Sequence, residues 1–258
     1  MDLNFYFQIA DKAVDEVNKY LLTEFGTIKK FTIKGPSDIQ VKEDIGANKI
    51  YEKFLKKETP DVLLFTEEGR RELSEGLVWV VDPIEGTSNY RVGIPFFSTT
   101  ICLIYKKEPL LSIVSAPALQ QKFHAIKGKG AFLNSRNINR SNQEDLEKTM
   151  FAVTRGRKEE DKIWHARTIV TLFPKIRTSR NLGSAGLEMA YTAAGMLDGY
   201  LSRGLEAGGG IYDILPGLLL LQESGCKVVN EKGKNFKLGD RLLLASNETL
   251  VKKVLGVI

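Results

Sequence analysis

Apolar positions along the 258-residue chain fall into two rhythms. Ile9, Ala13, Val17, Tyr20 and Leu21 recur at helical spacing and predict an amphipathic helix over residues 4–24. A second helix is predicted over 44–57, and between the two the stretch 29–39, with Lys34-Gly35-Pro36-Ser37, reads as a loop or hairpin. Short unbroken apolar runs follow at 62–65 and 77–81, the pattern of strands covered on both faces. Runs at 97–105 and 110–116 flank Lys106-Lys107-Glu108-Pro109, and runs at 123–126 and 131–133 flank Lys127-Gly128-Lys129-Gly130; both pairs read as hairpins. Past the polar stretch 142–148 the rhythm changes. Strands are predicted at 150–153, 199–202, 227–230 and 242–245, and helices at 163–173, 187–196, 213–223 and 248–255. Asn247 is placed to cap the last helix, and Pro216 to sit in the first turn of the third. The expectation is a mixed α/β (α+β) chain in two halves: 1–145 is helices over a mainly antiparallel sheet, and 146–258 alternates α and β.

Composition narrows the class without naming a function. Hydrophobic content of 43% and charged content of 27% describe a chain able to bury a core. The longest apolar stretch, 214–221, is far too short to span a bilayer, and Met1-Asp2-Leu3-Asn4 does not open a signal peptide, so the expected location is cytoplasmic with no membrane partner. Cys102 and Cys226 lie in apolar strands without ligand spacing and read as reduced thiols. The net charge of +5 comes from scattered lysines with no basic stripe interleaved with aromatics. That favours anionic small molecules over nucleic acid as partners.

The chemistry concentrates where apolar runs end. The run Leu77-Val78-Trp79-Val80-Val81 delivers Asp82-Pro83-Ile84-Glu85-Gly86-Thr87, two carboxylates at a turn with a carbonyl and free N–H groups beside them. Carboxylates with the Ile84 carbonyl suit a hard cation such as Mg²⁺, and N–H groups suit a phosphate oxygen. The run at 62–65 closes on Thr66-Glu67-Glu68-Gly69; neighbours leaving a strand point oppositely, so one glutamate is expected to face the site. Asp213, ahead of Pro216, adds a third carboxylate position. Taken singly, these acids read equally as surface charges or caps. Together they have the makings of a multi-metal phosphoryl-transfer centre.

In order and spacing these segments resemble the inositol monophosphatase family of Mg²⁺-dependent, lithium-sensitive sugar phosphatases. The carrying residues are Asp38 to Asp44, Glu67-Glu68, Trp79 to Thr87 and Tyr212-Asp213, and the resemblance runs from about Ile9 to the C-terminus. It implies a five-layer αβαβα sandwich and a homodimer. It also implies two or three Mg²⁺, with Mn²⁺ as a substitute, held by Glu67, Asp82, the Ile84 carbonyl, Glu85 and Asp213. Gly86, Thr87 and Ser88 would bind phosphate. Asp44, Glu67 and Thr87 would be catalytic, with Thr87 and Asp44 activating water; for Asp44 the alternative is a helix N-cap. Arg180, Gly183, Ser184, Ala185 and Glu206 would line the leaving alcohol, and Ser184 reads equally as a helix N-cap. The implied activity is hydrolysis of inositol-1-phosphate or a related sugar or polyol phosphate. The rivals are fructose-1,6-bisphosphatase, alone or as a second activity, a 3′,5′-bisphosphate nucleotidase, and a catalytically weak binding homologue. One departure stands out: the family's second aspartate is Glu85, whose extra methylene moves the carboxylate by ~1.5 Å. Because Mg²⁺ tolerates misplaced ligands poorly, Glu85→Asp is expected to lower the Mg²⁺ requirement.

Overall fold

Side-chain parity along the strands explains the architecture of the computed structural model, which describes residues 1–35, 38–69, 74–156, 158–204 and 211–258. Helix α1 (Leu3–Glu24) is capped by Asp2, whose carboxylate accepts the Asn4 N–H at 2.9 Å. The hairpin β1 (Phe31–Gly35) and β2 (Asp38–Val41) leads into α2 (Lys42–Glu58). A seven-stranded sheet follows: β3 (Leu63–Thr66), β4 (Leu77–Glu85), then past the short helix α3 (Thr87–Arg91) β5 (Ser98–Tyr105), β6 (Glu108–Ala116), β7 (Gln121–Ile126), β8 (Ala131–Leu133) and β9 (Arg136–Ile138). They lie side by side in chain order, antiparallel except for the parallel pair β3–β4. The second sheet is built from β10 (Met150–Arg155), β11 (Thr178–Arg180), β12 (Gly199–Arg203), β13 (Lys227–Val229) and β14 (Leu242–Ser246), in the order β11-β10-β12-β14-β13. The remaining helices are α4 (Glu159–Leu172), α5 (Ala185–Ala193), α6 (Ile211–Glu223) and α7 (Glu248–Leu255).

Alternate residues of each sheet feed different cores. Trp79, Val81, Ile101, Leu103 and Ile113 pack under α1 and α2. Their neighbours Val78, Val80, Cys102, Ile104 and Val114 face the opposite way, onto α5 and α6, and meet Ala152, Tyr200, Leu243 and Ala245 of the second sheet there. The far face of that sheet, through Phe151, Val153, Leu201 and Leu244, packs on α4 and α7. Three cores between five layers make the αβαβα sandwich expected from the resemblance. Strands buried on both faces read as the unbroken apolar runs seen in the sequence.

Several local readings change. The turn between β5 and β6 is two residues, Lys106 and Lys107, both left-handed (φ 50° and 64°), as a tight hairpin of matching twist requires. Pro109 is therefore inside β6, where an irregular register beside Ile104 accommodates its missing N–H. α6 begins at Ile211, so Pro216 lies in the helix interior instead of the first turn. Pro216 has no N–H to donate to the carbonyl of Tyr212 four residues back, and that carbonyl accepts the Thr100 hydroxyl at 3.3 Å. Asn247 caps α7 as expected, accepting the Leu250 N–H at 2.9 Å. Among the described residues, no helix is long and apolar enough to cross a membrane.

Candidate active site

A cavity of about 380 Å³ opens where four strand ends meet three helix starts. Glu67 follows β3, and Asp82, Ile84 and Glu85 close β4. Gly86, Thr87 and Ser88 begin α3; Thr154, Arg155 and Gly156 end β10; Asn181 follows β11. Gly183, Ser184 and Ala185 start α5, and Asp213 lies in the first turn of α6. Two of the three parallel strand pairs among the described residues, β3–β4 and β10–β11, thus aim their carboxyl ends at the cavity, the usual place for a ligand in α/β sheets.

One extra residue decides how the signature is displayed. Asp82 pairs with Thr100 and Glu85 with Ser98, so three steps on β4 match two on β5. In a regular strand Asp82 and Glu85 would face opposite sides; the bulge, with Pro83 in it, turns both toward the cavity. The expected turn is therefore the last part of β4. Asp82 Oδ1 accepts the Ile84 N–H at 3.0 Å, which fixes that kink. Gly86 then takes φ +87°, and a Cβ there would lie 3.1 Å from the Gly183 carbonyl oxygen, so glycine is required on both counts. The Asn89 N–H donates to the Gly86 carbonyl at 2.9 Å, while the N–H groups of Thr87 and Ser88 at the start of α3 have no helix carbonyl behind them, which leaves them available to an oxyanion.

The carboxylates are crowded. Asp82 is buried, and its carboxyl is pushed well above the ordinary range, first by burial and then by the negative charges of Glu67, Asp213 and Glu85. The Lys34 ammonium of the hairpin lies 3.7 Å from Glu67 and also pairs with Glu68, which accepts from Gln40 as well; of the two glutamates Glu67 lines the cavity. Among the described residues, no three acidic side chains are drawn into a ready-made ligand sphere. The donor chemistry nonetheless fits a hard divalent cation: buried carboxylate oxygens of like charge with the Ile84 carbonyl beside them, and only oxygen donors.

Other expected residues fall elsewhere. Asp44 is the third residue of α2, not its N-cap: Oδ2 reaches back to accept the Val41 N–H at 2.7 Å, and Oδ1 is buried without a partner. Burial, with Glu67 and Glu68 adding to it, raises its carboxyl to about 8. It is not among the residues that line the cavity, and the Thr87 hydroxyl donates to the Ile84 carbonyl at 2.9 Å instead of meeting Asp44, because the turn from β4 into α3 brings residues three apart together. Arg180 does not reach the cavity: its guanidinium donates to Thr178 Oγ and the Ser179 carbonyl, both at 2.8 Å, along its own exposed strand. Ser184 is the N-cap residue of α5 by position, but its hydroxyl donates to Glu85. Glu206 lies outside the described residues. Thr154, Arg155, Gly156 and Asn181 were not anticipated; the signal for them was their position after parallel strands.

Residues 2–257 match the model of the inositol monophosphatase family. The chain belongs to that family. It is 31% identical over 252 residues to inositol monophosphatase 3 of Solanum lycopersicum, covering 95% of this chain and 93% of that one. It is 29% identical over 248 residues to a fructose-1,6-bisphosphatase/inositol-1-monophosphatase of Thermotoga maritima, covering 96% and 93%. The crystal structure of the extragenic suppressor protein SuhB from Bartonella henselae superimposes with a TM-score of 0.90 at 27% identity, covering 97% of each chain. The chain is thus a member of a metal-dependent phosphatase family with that family's fold.

Proposed function

We propose that this protein is a Mg²⁺-dependent phosphomonoesterase acting on inositol-1-phosphate or a related sugar or polyol phosphate, with Mn²⁺ able to substitute. One observation carries this reading: the carboxylates of buried Asp82 and half-buried Glu67 and Asp213 line the same cavity as Gly86, Thr87 and Ser88 at the start of α3. Such a pairing suits a phosphate lying between cations and backbone donors. A bound divalent cation would supply Lewis-acid stabilisation and lower the pKa of the attacking water. The chain's own contribution is positional. Asp82, kinked by its bond to Ile84, presents its other carboxylate oxygen beside Asp213. Thr87 pins the Ile84 carbonyl, and the α3 amides orient the ester. Gly183, Ser184 and Ala185 also line the cavity, where the alcohol would sit. A cavity of about 380 Å³ is near the small end of ligand pockets, in keeping with a single polyol ring.

Fructose-1,6-bisphosphatase activity, alone or as a second activity, is supported by Arg155. This cation lines the same cavity as the acids and would meet a second phosphate there. The dual name of the Thermotoga maritima relative supports the same reading. The test is phosphate release with Mg²⁺ from inositol-1-phosphate, fructose-1,6-bisphosphate and adenosine 3′,5′-bisphosphate. Release from none of them above buffer would end the phosphatase reading. The homodimer belongs to this proposal too, and light scattering on the purified protein decides it.

A further inference from the structure

Glu85 ends β4 at the cavity, but its carboxylate is spent on the protein. Oε1 accepts the Gly186 N–H at 2.6 Å, and Oε2 accepts the hydroxyls of Ser98 at 2.8 Å and Ser184 at 2.9 Å. The Ala185 N–H adds a fourth donor. A carboxylate has about four lone-pair sites, so these partners fill it. Three of the four donors belong to the start of α5, where the helix dipole also favours a negative charge. Ser184 leaves its own helix without a side-chain cap to make this contact. Glycine is a poor residue for the first turn of a helix. Here it is needed: a Cβ at Gly186 would lie 2.7 Å from Glu85 Oε2 and 3.3 Å from its Cδ. An aspartate, shorter by ~1.5 Å, would fall short of this seat.

We propose that Glu85 is a positioning residue and not a cation ligand: it clamps the start of α5, and with it the Gly183–Ala185 wall, onto β4, and Gly186 is the complementary half of the device. The cation donors are then Glu67, Asp82, the Ile84 carbonyl and Asp213. The ligand half of this statement rests on the proposed metal-dependent reading; the clamp half does not. Methylene and methyl trade places in this design. Shortening the acid opens a gap that a methyl at 186 fills, while that methyl alone collides with the longer acid.

The experiment has two arms. In EDTA, thermal unfolding is followed for wild type, Glu85→Asp, Gly186→Ala and the double variant. Gly186→Ala should lower Tm by roughly 3–10 °C, as overpacking does, and Glu85→Asp should lower it by a similar amount. The double variant should lie above the sum of the two losses. Additive losses, or no loss in either single variant, would overturn the clamp. In the second arm Mn²⁺ binding is counted by titration with electron-spin detection. Glu85→Gln should bind as many ions as wild type, with affinity within about threefold, while Asp82→Asn binds fewer. Loss of an ion in Glu85→Gln would make Glu85 a ligand and overturn the assignment. If wild type binds no cation, the metal-dependent reading fails and the ligand half of the proposal with it, while the EDTA arm still decides the clamp. In turnover, Glu85→Asp should raise KM for the ester more than it lowers kcat, and Gly186→Ala added to it should restore KM.

Discussion

Glu188 offers a pH-dependent prediction that needs no cation. It sits on α5, buried, with one oxygen accepting the Leu182 N–H and the other, Oε2, without a partner. Burial raises its carboxyl from 4.5 to about 8, with the nearby Glu85 charge adding to the shift. The folded chain therefore holds a proton between about pH 4.5 and 8 that the unfolded chain gives up. Stability is complete below the lower value, falls as pH rises through the window, and levels off above the upper one. At pH 7 the mismatch costs about 3 kcal/mol. Glu188→Gln keeps an oxygen for the Leu182 N–H and cannot ionise. It should raise Tm at pH 7 by roughly 4–12 °C in EDTA. The gain should shrink toward zero at pH 4 and plateau above pH 8. Thermal unfolding by circular dichroism from pH 4 to 9 measures it directly. Wild-type and Glu188→Gln curves that run parallel across the window would refute the reasoning.

Three further outcomes follow from the site. Asp82→Asn should cut kcat more than tenfold, over about 1.4 kcal/mol of barrier, without loss of fold in circular dichroism; retention of a tenth or more would remove Asp82 from the cation donors. Thr100→Val should cost roughly 0.5–1.5 kcal/mol in urea unfolding, because it removes the bond from the Thr100 hydroxyl to the Tyr212 carbonyl. Lithium should inhibit phosphate release at saturating Mg²⁺, as expected of this family; turnover unaffected by high lithium would set this site apart from its relatives.

Much of the architecture was legible because periodicity and burial agree. The unbroken run from Leu77 to Val81 announced a strand covered on both faces, and its alternate residues do feed two different cores. The signature itself was legible as chemistry but not as shape. Nothing in Asp82-Pro83-Ile84-Glu85 states that the strand continues through a bulge, because that depends on register with β5. β11 was missed since Thr178-Ser179-Arg180 has no apolar pattern; its pairing to β10 makes it a strand. Without that strand the exposed, self-satisfied geometry of Arg180 and the placing of Asn181 could not be read. The partner of Glu85 was equally hidden. Gly186 lies about a hundred residues away, and only the folded contact shows why a helix should begin with it.

The shared central layer has a consequence for biosynthesis. The last strand of the larger sheet ends at Ile138, yet the apolar face formed by Val78, Val80, Cys102, Ile104, Val114 and Phe123 is covered by α6, whose final residue is Glu223. Roughly 85 residues separate the two events, or about 4–17 s of synthesis at ordinary elongation rates. Throughout that interval a growing chain carries a sheet with one wet apolar face. Ribosome-held chains stopped before residue 211 should therefore recruit holdase chaperones and aggregate on release, whereas chains extended past residue 223 should become protease-resistant.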